Sequence, residues 1–399
     1  MKFLTLLSIL IFSLAACNAK ADYKTLRNQA AAVAGPKDPI VIGVGWSISS
    51  DYDKGIQGID LAVKEINANG GLLGGRKIQL VVLDDEISVK RVRRVAQTFA
   101  ENTHLIAVIG HFWSSMSIPA SSIYDLNGIL MLSPISTSPE LTRQGFPLVF
   151  RSIMNDRLVA EQFANFAKEE AYQRLVILYL DGPYGREYSS AFEDRARELG
   201  LVIEDRKAYV TDTDFRSIIS TWKWLDFDAI FVVGDESAAE FIKLLREEGI
   251  EAPILAGDGL DTPRLWEIAG EAANGVVVAS HFHPDSPNAN AEDFEKAFIN
   301  RCTNYLITAT WQEKFCNEKP DTWAAQGYDA VYLLAHVIEK AKTTLPEKLA
   351  LQLGRLDDWQ GVTGLYSFSE NGDLKDRQVV FQVLEDGVFK FLRLSSGDD

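Results

Sequence analysis

The chain is 399 residues long, 47% hydrophobic and 24% charged, a globular composition with length enough for two or more domains. Its formal net charge of −16 argues against nucleic acid and anionic membrane surfaces as partners and says little about fold. Three cysteines, with no Cys-x-x-Cys pair and no His-spaced cluster, give no zinc signature.

Lys2 precedes an apolar run, Phe3–Leu14, and then Ala15-Ala16-Cys17. A basic start, an apolar middle and small residues at the end make a secretory leader. The run is shorter than the roughly 20 apolar residues needed to cross a bilayer. Leu14-Ala15-Ala16-Cys17 resembles a bacterial lipobox. That resemblance implies removal of residues 1–16 as a signal peptide and acylation of Cys17; plain secretion with cleavage after Ala16 is the alternative. Residues 17–39 hold few large apolar residues besides Leu26 and Val33 and close in Gly35-Pro36, which predicts a lipid-anchored tether. With Cys17 acylated, Cys302 and Cys316 remain, and they fit a disulfide in an oxidising compartment.

Ile40–Val44 is a short apolar run, a buried strand, followed by a polar loop over Trp46–Asp53. Ile56, Ile59, Val63 and Ile66 fall at helical spacing, and Asn69-Gly70-Gly71 stops that helix. Strand Ile78–Leu83 follows, then a helix marked by Val92, Val95 and Phe99. Strand Leu105–Ile109, helix Ser117–Leu126 and strand Ile129–Leu132 come next. The rhythm restarts with helix Leu158–Phe166 and strand Leu175–Leu180, then a helix ending near Leu199-Gly200. Strands at Leu201–Glu204, Ala229–Val233, Pro253–Ala256 and Val276–Ser280 alternate with helices at Phe215–Trp222, Ala238–Glu248 and Thr262–Ala269. After the loop His281–Asn290 come helix Phe294–Cys302, an inserted loop Thr303–Pro320 and a long helix Trp323–Ala341. Strands Leu365–Phe368, Val379–Leu384 and Val388–Leu392 close the chain, with hairpin turns at Asn371-Gly372 and Asp386-Gly387. Alternating strands and helices predict right-handed crossovers and mostly parallel sheets. Two such lobes would face each other with the loops at their strands' C-terminal ends, where open α/β sheets bind ligands.

Ile106–Tyr124 is the most informative stretch: an apolar run ends at Gly110 and runs through a serine-rich loop into a helix. Unpaired N–H groups and the positive end of a helix dipole suit an anion there. Together with Gly58–Gly74, Asp84-Asp85, Gly128–Leu141, Tyr184-Gly185, Gly257-Asp258-Gly259, Gly327-Tyr328-Asp329-Ala330 and Gly361–Gly372, it makes the chain resemble the type I periplasmic solute-binding proteins of ABC transporters, closest to the leucine/isoleucine/valine-binding group. The likeness covers about Ile40–Leu392.

The resemblance implies two doubly wound, Rossmann-like α/β lobes joined by three hinge crossovers. These would lie near Ile153–Asp156, Ser280–His283 and Asp358–Gly361. Lobe one would be 40–154 plus 282–358, and lobe two 155–281 plus 359–394. It implies a monomeric extracytoplasmic lipoprotein, in the periplasm or at the cell surface, that captures a small zwitterionic solute, an amino acid, and hands it to an ABC permease. A ligand-sensing or envelope-regulatory lipoprotein on the same fold is the alternative.

The likeness carries site roles by position. Ser114, Ile135 (through its backbone) and Thr137 would bind the solute's carboxylate; helix capping by Ser114 and turn stabilisation by Thr137 are the plainer alternatives. Asp258 would accept from the ammonium group, or else serve as a turn aspartate between glycines. Asp235 stands where the branched-chain binder has an aromatic, either as a second acceptor or as a helix cap before Ser237. Tyr184 would cover the ligand. Trp113 and Trp323 replace smaller residues and would reshape the side-chain pocket, and Tyr52 lies in the loosely aligned first loop. Enzyme motifs are missing: there is no Gly-x-Ser-x-Gly elbow or Walker A loop, and Gly43-Val44-Gly45 continues to Trp46-Ser47-Ile48 without a third glycine. The expectation is no enzyme, no cofactor and no metal. His281-x-His283 with Asp285 mimics a metal site but is read as solvated or hinge-packing.

Overall fold

In the computed structural model, residues 22–48, 54–288, 290–301, 318–375 and 377–396 are described; Cys17, Tyr52, Cys302 and Cys316, and with them the acylation and disulfide expectations, lie outside these residues. The first sheet holds β1 (Ile40–Trp46), β2 (Ile78–Asp84), β3 (Leu105–Gly110), β4 (Leu130–Ser133) and β5 (Val149–Arg151) in the order β2-β1-β3-β4-β5. All its pairings are parallel. β1 and β3 are buried at every position, the run of apolar residues that a strand covered on both faces requires. The second sheet holds β6 (Arg174–Leu180), β7 (Val202–Tyr209), β8 (Ala229–Val233), β9 (Ile254–Ala256) and β10 (Val277–Ser280) in the order β7-β6-β8-β9-β10. Taken in chain order within each sheet, both run 2-1-3-4-5. Each therefore has its topological switch point between its first and third strands, where such sheets take ligands.

The helices are α1 (Tyr23–Val33), α2 (Lys54–Ala68), α3 (Val89–Glu101), α4 (Ser114–Leu126), α5 (Glu140–Arg143), α6 (Asp156–Glu169), α7 (Pro183–Glu198), α8 (Phe215–Trp222), α9 (Ala238–Glu247), α10 (Arg264–Ala269), α11 (Ala291–Asn300), α12 (Thr322–Ala341) and α13 (Pro346–Leu353). α12 returns the chain to the first sheet by lying against α2 at glycine contacts. A Cβ on Gly58 would stand 2.0 Å from the Ala324 carbonyl oxygen, and one on Gly327 would stand 2.3 Å from that of Gly55. Only glycine lets two helix backbones approach this closely.

Three expectations change. The tether predicted over 17–39 is folded from Asp22 onward: α1 is capped by the Asp22 side chain and pinned through Arg27, which is fully buried. Its guanidinium donates to the carbonyls of Leu105 (2.5 Å), Ala100 (2.9 Å), Asn102 (3.1 Å) and Asn127, and burial lowers its pKa to about 10. The strand predicted at Leu201–Glu204 extends to Tyr209. Of the three late strands, only β13 (Val380–Glu385) and β14 (Val388–Leu394) join the second sheet, antiparallel at the β10 edge. Leu365–Tyr366 (β12) instead pairs with Trp359–Gln360 (β11) in a separate ribbon. The turn at Asn371-Gly372 closes a minimal hairpin whose Phe368 and Leu374 bridge each other. That hairpin borders β5 of the first sheet, where the Arg151 N–H donates to the Gly372 carbonyl at 2.9 Å.

Candidate functional site

Two loops leave the first sheet side by side. β3 ends at Gly110, and His111-Phe112-Trp113 leads into α4. Trp113 occupies the cap position without a side-chain cap bond, so Ser114 is the first helical residue rather than the cap. Its hydroxyl oxygen instead accepts the Ser138 N–H of the second loop at 3.2 Å. The second loop follows β4 as Pro134-Ile135-Ser136-Thr137-Ser138. Ser136 bonds the Ser117 hydroxyl at 2.6 Å and donates to the carbonyls of His111 and Phe112. Ser114, Ile135 and Thr137 are 5%, 5% and 3% exposed, so the expected carboxylate residues lie on two laced, buried loops.

Under them runs a fully buried chain of three side chains. His111 Nδ1 meets Asp85 at 2.7 Å and Nε2 meets the Tyr124 hydroxyl at 2.8 Å. A Cβ on Gly45 would stand 2.5 Å from the imidazole ring; the glycine of β1 makes room for it.

The second sheet supplies acids. Tyr184, in the first turn of α7, donates its hydroxyl to Asp258 at 2.8 Å and accepts the Gly259 N–H at 3.2 Å. The glycines flanking Asp258 do more than turn the chain. A Cβ on Gly257 would stand 2.8 Å from the Tyr184 hydroxyl oxygen, and one on Gly259 would stand 2.2 Å from the Gly234 carbonyl oxygen. The second Asp258 oxygen faces His281 Nε2 at 3.4 Å. Burial and the Asp258 charge push the Tyr184 hydroxyl pKa well up. The Asp235 Oδ1 accepts the Ser237 N–H at 3.0 Å and the Ser237 hydroxyl, bonds within the turn that precedes α9, whose cap position is Ser237 itself.

Asp156, which the sequence did not single out, joins the two halves. It opens α6 at the end of the first crossover and is fully buried. Neither of its carboxylate oxygens has a partner in hydrogen-bond geometry among the described residues. Burial, reinforced by Asp258, holds its pKa well above the usual carboxylate range, while the neighbouring Thr137 hydroxyl and Arg151 pull the other way. Its N–H donates to the Thr137 carbonyl at 2.9 Å. In sequence, Asn155-Asp156 reads as an ordinary helix start, because Asn155 does cap α6; nothing local marks the acid beside it.

An aromatic group flanks the first loop. Phe112 contacts Trp46 edge-on at 5.5 Å, Trp113 at 5.2 Å and Trp323 at 5.4 Å between ring centroids. Trp46, Phe112 and Trp323 are buried and Trp113 is half-buried. The structure thus joins the expected Trp113 and Trp323 through Phe112, a residue the sequence left unremarked, and places Trp46 on β1 rather than in a loop. His283 contacts the Phe389 carbonyl and the Asp285 N–H. No group of three metal-ligating side chains occurs among the described residues.

A family model described as periplasmic binding protein matches residues 39–387. The chain is 30% identical over 345 residues to Leu/Ile/Val-binding protein homolog 1 of Brucella abortus, covering 84% of this chain and 88% of that protein. It is 27% identical over 322 residues to the leucine-, isoleucine-, valine-, threonine- and alanine-binding protein of Pseudomonas aeruginosa, covering 79% and 81%. It also superposes on the crystal structure of an ABC transporter substrate-binding protein from Desulfitobacterium hafniense in complex with Leu. There the TM-score is 0.78 and the identity 39%, covering 89% of this chain and 100% of that one.

Proposed function

From the premise that this chain belongs to the periplasmic binding protein family, whose members bind solutes rather than transform them, we propose that it captures an amino acid outside the cytoplasm and delivers it to an ABC permease. The observation that carries this reading is the polarity of the site. Hydroxyls and a helix N-terminus gather on the first sheet's loops, and the buried carboxyls Asp156 and Asp258 lie against them from the second sheet's side. A zwitterion matches that polarity. Ser114, the Ile135 backbone and Thr137 take the carboxylate. Asp258 and Asp156 take the ammonium group, Tyr184 covers it, and Trp113 and Trp323 bound the side chain. Asp235 braces the turn before α9 through Ser237.

The proposed lobes are 40–154 plus 282–358 and 155–281 plus 359–394, with the 368–374 hairpin resting on the first, and they close on the ligand by hinge motion. Residues 1–16 are removed, and the mature monomer is held to its membrane through acylated Cys17.

A thermal-shift screen against the common amino acids tests the reading, with leucine, isoleucine and valine first. A ligand at one hundred times its dissociation constant stabilises by about 2.7 kcal/mol. A protein that no amino acid stabilises, and that titration calorimetry finds silent, would sink the proposal.

A further inference from the structure

We propose that the outer face at the start of α3, carrying Lys90, Arg93 and Arg94, docks this protein onto an acidic extracytoplasmic surface of its permease. This rests on the delivery of solute proposed above.

The first support is position. α3 follows β2, and the turn between them holds Asp85, which contacts His111 of the first site loop at 2.7 Å. The first turns of α3 therefore lie at the end of the sheet from which the site loops leave. A solute handed from the site to a membrane protein leaves past this end, so the surface here is placed to meet the acceptor.

The second is electrostatic. In a chain with a net charge of −16, α3 begins Val89-Lys90-Arg91-Val92-Arg93-Arg94 and has no acid in its first turn. Val92, Val95, Ala96 and Phe99 form its buried side, and Lys90, Arg91, Arg93 and Arg94 are all exposed. Arg91 has local partners: it pairs with Glu86 at 3.3 Å and donates to the Asp84 carbonyl. The side chains of Lys90, Arg93 and Arg94 form no ion pair or hydrogen bond among the described residues. Arg93 and Arg94 stand three and four residues from Lys90, the spacing at which like charges on a helix repel, and cations at a helix start oppose its dipole. Three charges within about 6 Å of helix axis thus weaken the helix and serve nothing inside the fold.

The matching place in the second sheet is built the opposite way. α8 also follows the second strand of its sheet. There the exposed Asp212 and Asp214 precede the helix, Asp214 caps it by accepting the Arg216 N–H at 3.1 Å, and Arg216 is paired with Glu248 at 2.9 Å. The two helix starts share a topology, so topology does not call for the cations of α3.

The third is the apolar border. Ile87 and Val89, next to the cations, are 48% and 46% exposed. The Asp84 and Asp85 carboxylates accept the N–H groups of Glu86 at 2.8 Å and Ile87 at 3.0 Å, so the turn that carries Ile87 is held in place. Unpaired cations beside fixed apolar side chains fit a protein surface bearing carboxylates. An anionic bilayer fits less well, because the chain's overall negative charge is repelled by it.

The test deletes the gene in its own cells and restores either the wild-type chain or K90E/R93E/R94E, which keeps the Arg91–Glu86 pair. Uptake of radiolabelled leucine, isoleucine and valine is read beside the calorimetric affinity of the purified proteins for the same amino acids. We expect uptake about tenfold lower in the variant with affinity unchanged, and a melting temperature unchanged or raised, because carboxylates suit a helix start. K90Q/R93Q/R94Q should fall between the two. A second arm needs no amino acid. Protein carrying Cys17→Ser, and so without an acyl chain, is mixed with right-side-out membrane vesicles of the deletion strain. Binding should be lost in K90E/R93E/R94E and after protease treatment of the vesicles. Equal binding, or equal uptake at equal affinity, in variant and wild type would overturn the docking surface and leave amino-acid capture standing. Wild-type binding that survives protease, and recurs on pure phosphatidylglycerol vesicles, would assign the patch to lipid and overturn the proposal as well. Silent calorimetry with variant-sensitive binding would overturn the amino-acid reading and leave the docking surface standing.

Discussion

The two halves of the site are built on opposite principles. The first-sheet half is bonded internally, its buried acid Asp85 held against His111. Ser114 bonds Ser138, Ser117 bonds Ser136, and His111 is held at both ring nitrogens. Such a network keeps its geometry with or without a ligand. The second-sheet half concentrates carboxyls. Asp156 is buried without a partner in hydrogen-bond geometry among the described residues, and Asp258 leans on one tyrosine and one distant histidine. A buried acid in that condition is costly until a cation arrives. On the proposed reading, the contrast teaches that one half supplies shape in advance, while the other supplies a deficit that a bound cation would correct.

The sharpest way to break this comparison is at the acids. Asp258→Asn and Asp156→Asn should each weaken binding of an amino acid by about 1.5–3 kcal/mol, the worth of a charge-assisted hydrogen bond, read by titration calorimetry. Asp156→Asn should at the same time leave the melting temperature of the empty protein unchanged or raised, because it removes a buried carboxyl that has no partner in hydrogen-bond geometry among the described residues. Loss of stability in that variant would show that Asp156 is a structural acid. Ser114→Ala combined with Thr137→Val should cost roughly 1–2 kcal/mol of affinity, and unchanged affinity would remove the first-sheet loops from the site.

The third expectation concerns pH. Asp261, buried between the Ser280 hydroxyl and the Gln382 amide, has its pKa raised to about 7 by burial, and that of Asp156 is raised in the same direction. Each group binds its proton more tightly in the folded than in the unfolded chain. Their contribution to stability is therefore present below the unfolded carboxyl value of about 4 and is lost as pH rises toward the folded value. Chemical denaturation of the empty protein between pH 4 and 7 should show this fall from these two groups, and Asp261→Asn should flatten part of it. The smallest effect belongs to Trp113→Ala. That ring is half-buried, so stability should change by about 1 kcal/mol or less while the ranking of side chains accepted by the site shifts. An unchanged ranking would take Trp113 out of the pocket.

Much of this was legible in the sequence. The apolar runs at Ile40–Val44, Leu105–Ile109 and Ala229–Val233 announce buried parallel strands, and the serine-rich run after Gly110 announces the loop and helix start found at Trp113 and Ser114. What stayed hidden shares a physical cause: the decisive partner leaves no pattern of its own. Arg27 binds backbone carbonyls, which every residue carries, so α1 looked like linker. Asp156 stands behind a genuine cap, Asn155. β5 spans three residues, too few for periodicity to show, and the charged, half-buried run Asp205-Arg206-Lys207 concealed how far β7 extends. Phe112 looked like loop because its role depends on Trp46 and Trp323, distant in sequence.

The glycine contact between α2 and α12 reaches further than helix packing. A methyl group at Gly58 would meet the Ala324 oxygen at 2.0 Å, whereas carbon and carbonyl oxygen normally approach to about 3.3 Å. Accommodating it would slide α12 outward by roughly 1 Å. Trp323 adjoins Ala324, so the slide would carry its ring off Phe112 and enlarge the aromatic wall's footprint. With Trp323 bounding the solute's side chain as proposed, position 58 would act on the size of the side chain admitted through a single carbon atom that never touches the solute.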